Sequence, residues 1–392
     1  MRVTSTEAQL TPFKNPLLAR EALLQKLHSY REMKLIFIHA PAGYGKTVLL
    51  QQFASRINTP VLRYQLDSMD NDPVVFFRHF LQNLTYQGNC ISEPDFLKDI
   101  TKPVEFLAIM SRLADRLAEQ FTVNTTLILE DFHLLKNRIL SEWMNTFIRY
   151  LPTGTQLIIS SRHAPALKLA KLKLEGLGVE IGPQELKLDE YESQSLLAFS
   201  PQLKTAPELT SRIIEQTTGW AAGMVLFLKW LAKQDPAKKV DWELLRQGYP
   251  AIYNYFENEV FADLDSVFQQ DLTKLAVVGE FTPELANLLL KRDDGRLFLE
   301  EALAGHCFII REDETGEVYR YHPLFREFLL SRIRESKILL HQAGLFFYSG
   351  RIISRRFIML LKRRIISQRR KLCLNQDWIF YAGGICPWWS CG

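Results

Sequence analysis

No stretch of this 392-residue chain is apolar for long enough to cross a bilayer, and Met1–Leu10 has no signal-peptide pattern. A helical membrane span is excluded, and a cytoplasmic location is expected. Cysteine is scarce: five in all, without the paired spacings of a zinc site or a disulfide framework. A reducing compartment fits that usage, with Cys90 and Cys307 read as buried or incidental thiols. Acid is nearly absent from one end. Residues 351–392 hold nine Lys and Arg but a single acid, Asp377. That segment carries +8 while the whole chain carries +4, which leaves −4 for the remainder. The body is mildly acidic and is not an obvious nucleic-acid binder. No internal repeat precedes the tail. What is present is an ordinary globular balance, 47% hydrophobic and 23% charged, at a length suited to two or three domains.

The most informative segment is Leu35–Thr47. An apolar, β-prone run, Leu35-Ile36-Phe37-Ile38-His39, leads into Ala40-Pro41-Ala42-Gly43-Tyr44-Gly45-Lys46-Thr47. A helical pattern follows at once through Val48, Leu49, Leu50 and Phe53. Strand, glycine-bearing loop and helix in that order form the context of a phosphate-binding loop, the P-loop. A triphosphate must exchange water for other donors. Backbone N–H groups of Ala40–Val48 and the helix N-terminus supply them. Gly43 and Gly45 allow the tight turn and the close approach. Lys46 places a positive charge at the β- and γ-phosphates, and the Thr47 hydroxyl is a ligand for Mg²⁺. The consensus opens on Gly; Ala40 stands there instead.

The rest of the first half alternates. Pro60–Leu66 reads as a second strand, Asp67–Pro73 as a turn capping a helix over Val74–Leu84, and Ala108–Gln120 as another helix. Thr126–Leu129 and Gln156–Ser160 are buried strands. An N-terminal helical lead contains Phe13, Leu17, Leu23, Leu24 and Leu27. The expected fold class is α/β, a parallel P-loop sheet with helices on both faces. From about Leu188 the pattern turns helical, over Leu186–Phe199, Glu208–Thr217, Trp220–Ala232, Ile252–Phe261 and Ser266–Leu275. Cys307–Arg311 and Val318–Tyr321 flank an acidic turn as a hairpin, and a helix follows over Pro323–Ile333. A small helical domain and a winged-helix domain are expected.

Further positions carry chemistry. Glu130-Asp131 closes a buried strand, where a Walker B pair orients Mg²⁺ and polarises the attacking water. The two roles are open between these residues. Arg162 closes the next strand, on the sheet edge that faces a γ-phosphate. His39 is read as a strand residue and the aromatic helix Trp220–Trp230 as core.

Several phrases occur in a fixed order. They are Ala40–Thr47, Gln65-Leu66-Asp67, Leu129-Glu130-Asp131-Phe132-His133, Ser160-Ser161-Arg162, Thr218-Gly219-Trp220-Ala221-Ala222-Gly223 and Tyr319-Arg320-Tyr321-His322-Pro323. This set resembles the ATPase module of MalT-type, large LuxR-family transcriptional activators, which belong to the STAND class of signal-transduction ATPases. The resemblance covers roughly residues 12–348. It implies a nucleotide-binding domain over 1–186, a small helical domain over 187–240, a winged-helix domain over 241–335 and the start of a helical sensor over 336–349. It also implies a switch that ADP locks, that ATP and a small-molecule inducer open, and that slow hydrolysis resets. The open form would self-associate, and contacts with DNA and RNA polymerase would belong to domains beyond these. Carried over by position, Lys46 and Thr47 serve phosphate and Mg²⁺, Glu130 and Asp131 serve metal and water, and Arg162 serves the γ-phosphate. Gly219-Trp220-Ala221 matches the family's Gly-x-Pro segment near the base, with Ala221 in place of proline. His322 matches the histidine that reaches the nucleotide and holds the closed state.

After Gly350 the character changes abruptly, to paired basic residues and then Cys386-Pro387-Trp388-Trp389-Ser390-Cys391. A frame change near Ser349–Gly350 is expected, with a non-native tail over 350–392 on a truncated regulator. A basic helix for DNA or for an acidic membrane surface is the alternative. A P-loop kinase and an AAA+-like remodeller are the competing functions.

Overall fold

The computed structural model describes residues 18–86, 124–163, 167–204, 206–235, 240–262, 264–305, 307–312 and 317–333. The helix expected at Ala108–Gln120, Cys90, Phe13, Leu17 and the basic tail lie outside these residues.

Five parallel strands form the first sheet: β1 (Leu35–His39), β2 (Val61–Gln65), β3 (Thr125–Glu130), β4 (Thr155–Ser161) and β5 (Gly178–Ile181). Their order is β2-β3-β4-β1-β5. Every residue of β3 and β4 is buried, as expected for central strands covered on both faces. Successive side chains point to opposite faces, and the two cores follow that alternation. Phe37, Leu127, Leu129, Leu157 and Ile159 pack with Phe76, Phe77, Trp143 and Phe147 on one side. Ile36, Ile38, Ile128, Ile158 and Ile181 pack with Leu23, Leu27, Leu49 and Phe53 on the other. The doubly covered α/β sheet is as expected. Its β5 edge was not legible, because four residues with only the two ends buried carry no usable period.

The helical half differs from its sequence pattern in places. Leu186–Phe199 is not one helix. It divides into Pro183–Leu186 and Glu190–Leu197. Asp189 starts the second by accepting from the N–H of Glu192 at 2.7 Å, while Glu192 reaches back to the Asp189 N–H. That reciprocal box ends any run through Leu188. Ile252–Phe261 begins as the α-helix Tyr249–Phe256 and passes into a π-helical turn, Glu257–Phe261. Trp220 stands at the N-cap of Ala221–Leu231 rather than inside it.

A second sheet, ordered β6-β8-β7, comprises β6 (Glu280–Phe281), β7 (Ile309–Arg311) and β8 (Tyr319–Tyr321). The expected hairpin is β7–β8, antiparallel, and β6 adds a third strand too short to announce itself. The helix Pro323–Ser331 follows. One continuous apolar core runs from Leu188 to Leu329 and includes Trp220, Phe256, Phe308 and Phe325. The helical and winged parts are therefore packed as one body.

Candidate functional site

The loop Ala40–Gly45 joins β1 to the helix Lys46–Ala54. Positive φ falls on Gly43 (+82°) and Gly45 (+83°), while Ala40 is not among the described residues with positive φ. Alanine at the opening position thus carries no left-handed strain. Gly45 is the N-cap and brings no side chain to the first turn, so its N–H groups are left for an anion. Thr47 is exposed there, with Val48 half-buried beside it. Lys46 folds back on the loop, donating from Nζ to the carbonyls of Ala40 at 2.6 Å and Pro41 at 3.1 Å. Burial, with help from the Arg162 charge, pulls its pKa down to about 8, against the opposing pull of Asp131 and Glu130.

Strand order explains why those charges meet. β4 lies between β1 and β3, so the loops after all three open on one edge of the sheet, where the order reverses. The P-loop follows β1, Asp131 follows β3, and Arg162 follows β4. The two carboxylates stand in different surroundings. Glu130 is 1% exposed; Oε1 is paired with Arg63, and Oε2 is buried with no partner among the described residues. Asp131 occupies the left-handed region (φ 58°) and is partly open; its Oδ2 accepts from Gln65 Nε2 at 3.1 Å. An orphaned buried oxygen is a place where a water or ligand atom fits. No group of three or more metal-type ligands exists among the described residues. A magnesium ion would need none, since magnesium is commonly held by one or two carboxylates together with phosphate oxygens and water.

The opposite wall comes from the helical half. Gly219 has φ +84°, and a Cβ there would stand 2.5 Å from the Leu188 carbonyl. Only glycine fits. The turn drives Trp220 inward, fully buried, where its indole N–H donates to Ala42 O at 3.0 Å. After Ala221, the N–H of Ala222 donates to Gly43 O at 3.0 Å. A Cβ on Gly43 would meet Ala222 Cβ at 2.5 Å and Trp220 Nε1 at 2.7 Å. The P-loop is thus seated directly on this turn. Tyr44 extends the contact, its ring 6.3 Å from that of Phe308.

His322 is 1% exposed, and its Nε2 donates to the Thr217 carbonyl at 2.7 Å. Its ring lies edge-on to Trp220 at 5.7 Å. Burial pulls its pKa down to about 4, so it is neutral near pH 7, and its Nδ1 has no partner among the described residues. It supports the Trp220 turn from behind. His39 pairs with Glu180 at 2.8 Å as a strand residue.

Four contributors were not singled out from sequence. Arg63 and Gln65 lie on β2, whose end shares the same edge, and that shared edge was the available signal. His133, with Nδ1 4.0 Å from Asp131 Oδ1, meets the His163 ring at 5.6 Å. Glu259 binds Arg162 from 97 residues away, and nothing local signals it.

An AAA domain family model matches residues 30–163, and the MalT winged helix domain model matches residues 257–338. The chain thus carries an AAA-type nucleotide-binding domain followed by a MalT-type winged-helix domain. The fold of this chain is similar to that of a Walker-type ATPase of Pyrococcus abyssi, with a TM-score of 0.55 at 13% identity over 80% of this chain and 96% of that one. A STAND protein with a tetratricopeptide repeat sensor from Pyrococcus horikoshii matches at a TM-score of 0.40 and 16% identity; the match covers 93% of this chain and 52% of that protein. No helix among the described residues is long and apolar enough to cross a membrane.

Proposed function

We propose that this chain is the nucleotide switch of a MalT/LuxR-type transcriptional regulator, locked by ADP, activated by ATP and reset by slow hydrolysis. The observation that carries the reading is the seating of the P-loop carbonyls of Ala42 and Gly43 on Trp220 and Ala222. A phosphate site built against a second body is suited to sensing which nucleotide is present, because filling it alters that contact.

Three parts are assigned: a nucleotide-binding part over 1–186, a small helical part over 187–240 and a winged-helix part over 241–335. Lys46 neutralises the phosphates, the first-turn N–H groups cradle them, and Arg162 reads the γ-phosphate. Mg²⁺, when bound, would screen charge between the β- and γ-phosphates. Thr47 and one of Glu130 and Asp131 would hold it, and the other carboxylate would orient water. Gly219, Trp220 and Ala221 shape the wall beside the base, and His322 steadies that wall in the closed form. Reading of inducer, DNA and RNA polymerase belongs to family domains outside residues 18–333, and the setting is cytoplasmic.

The test is the nucleotide found on the purified protein, followed by its turnover. Retained ADP and slow hydrolysis are expected. Fast turnover without inducer would reject the switch. Phosphoryl transfer to a small-molecule panel would instead favour a kinase, and a ring on native mass analysis with ATP would favour an AAA+-like remodeller.

A further inference from the structure

Arg162 stands at the end of β4, between the P-loop strand and the acidic strand, and it is engaged. Nη1 donates to the backbone carbonyl of Glu259 at 2.9 Å, and Nη2 to the Glu259 carboxylate at 2.8 Å. Glu259 belongs to the π-helical turn Glu257–Phe261, where the winged-helix match begins. Single π turns of this kind re-aim a side chain and recur at functional positions. This one is fixed from behind. Arg332, beyond the helix Pro323–Ser331, pairs with Glu257 and lies over the rings of Phe261 at 5.0 Å and Phe328 at 5.5 Å. Four residues before Glu259, the Tyr255 hydroxyl comes within 2.9 Å of the place a Gly43 Cβ would occupy. One segment of the winged half therefore meets both the P-loop and Arg162.

We infer that Glu259 is a specificity-determining residue that sets the preference between ATP and ADP by competing with the γ-phosphate for Arg162. The inference rests on the switch reading above. A carboxylate and a phosphate both seek the two-donor fork of a guanidinium, and one fork holds one of them. ADP has no γ-phosphate and leaves the Arg162–Glu259 pair in place. ATP must displace Glu259, and in doing so it loosens the winged half from the sheet. The two side chains are 26% and 40% exposed, so water and salt screen the pair. It is strong enough to bias the site and weak enough to yield to a phosphate.

Equilibrium binding of ADP and of a non-hydrolysable ATP analogue, each with Mg²⁺, to the full chain tests this. Glu259→Gln keeps the backbone carbonyl and the side-chain volume and removes the charge. The analogue should bind about two- to fivefold more tightly, with ADP affinity unchanged. In an Arg162→Ala background Glu259→Gln should have no effect on the ratio. Glu259→Asp, which withdraws the carboxylate but keeps its charge, should act in the same direction and guards against a misfolded first variant. A gain that appears equally for ADP, or that survives without Arg162, would overturn the role of Glu259. Binding of both nucleotides with an unmoved ratio sinks the Glu259 role alone; no binding of either by the wild type sinks the switch reading with it.

Discussion

Lys46 shows how much one residue's surroundings decide. It is held by two loop carbonyls and lies close to Arg162, and its pKa falls to about 8. A bound triphosphate would raise that pKa again, because an opposite charge favours the protonated form. Between about pH 8 and the higher bound-state value, the complex holds more protons than the free protein. Affinity is therefore level below about pH 8 and falls as pH rises above it, by up to about tenfold per unit. Binding titrations from pH 6 to 10 should show that break. Lys46→Arg, which keeps its charge throughout, should remove it; a break of the same size in the variant would place the titrating group elsewhere. At this scale the sequence was a good guide. Gly43 and Gly45 stand in the expected loop, Lys46 and Thr47 open the helix after it, and Arg162 reaches the same sheet edge as Asp131. The difference between Glu130 and Asp131 was not legible, because it depends on Arg63 and Gln65 from a neighbouring strand.

At the scale of elements, strong periodicity and clear caps predicted well. The helix expected at Ser266–Leu275 is observed over those residues, started by Asp265, whose Oδ1 accepts from Val267 and Phe268 N–H at 2.9 Å. Weak signals failed for a physical reason. β5 and β6 take their stability from pairing with distant strands, which no local pattern encodes. The turn at Gly219 lies between these cases. Its glycine was noticed through the family phrase, but the need for it is steric. Gly219→Ala forces a side chain into positive φ and against the Leu188 carbonyl. A loss of about 1–3 kcal/mol is expected, read as a lower denaturation midpoint, together with weaker nucleotide binding as Trp220 leaves Ala42. An unchanged midpoint would show that the turn can relax without cost.

The described residues form two bodies in contact. One is the parallel sheet with its helices; the other is the continuous core from Leu188 to Leu329. They are joined by Arg20 with Glu192 at 2.8 Å, by Trp220 and Ala222 with the P-loop, and by Arg162 with Glu259. All three joints link residues far apart in sequence, so the domain types were readable from the chain and their docking was not. The switch account requires the P-loop joint to respond to the nucleotide. Amide hydrogen exchange at Ala222, whose N–H is donated to Gly43 O, tests that most directly. Slow exchange is expected with ADP and clearly faster exchange with a non-hydrolysable ATP analogue. Equal protection in the two complexes would contradict it.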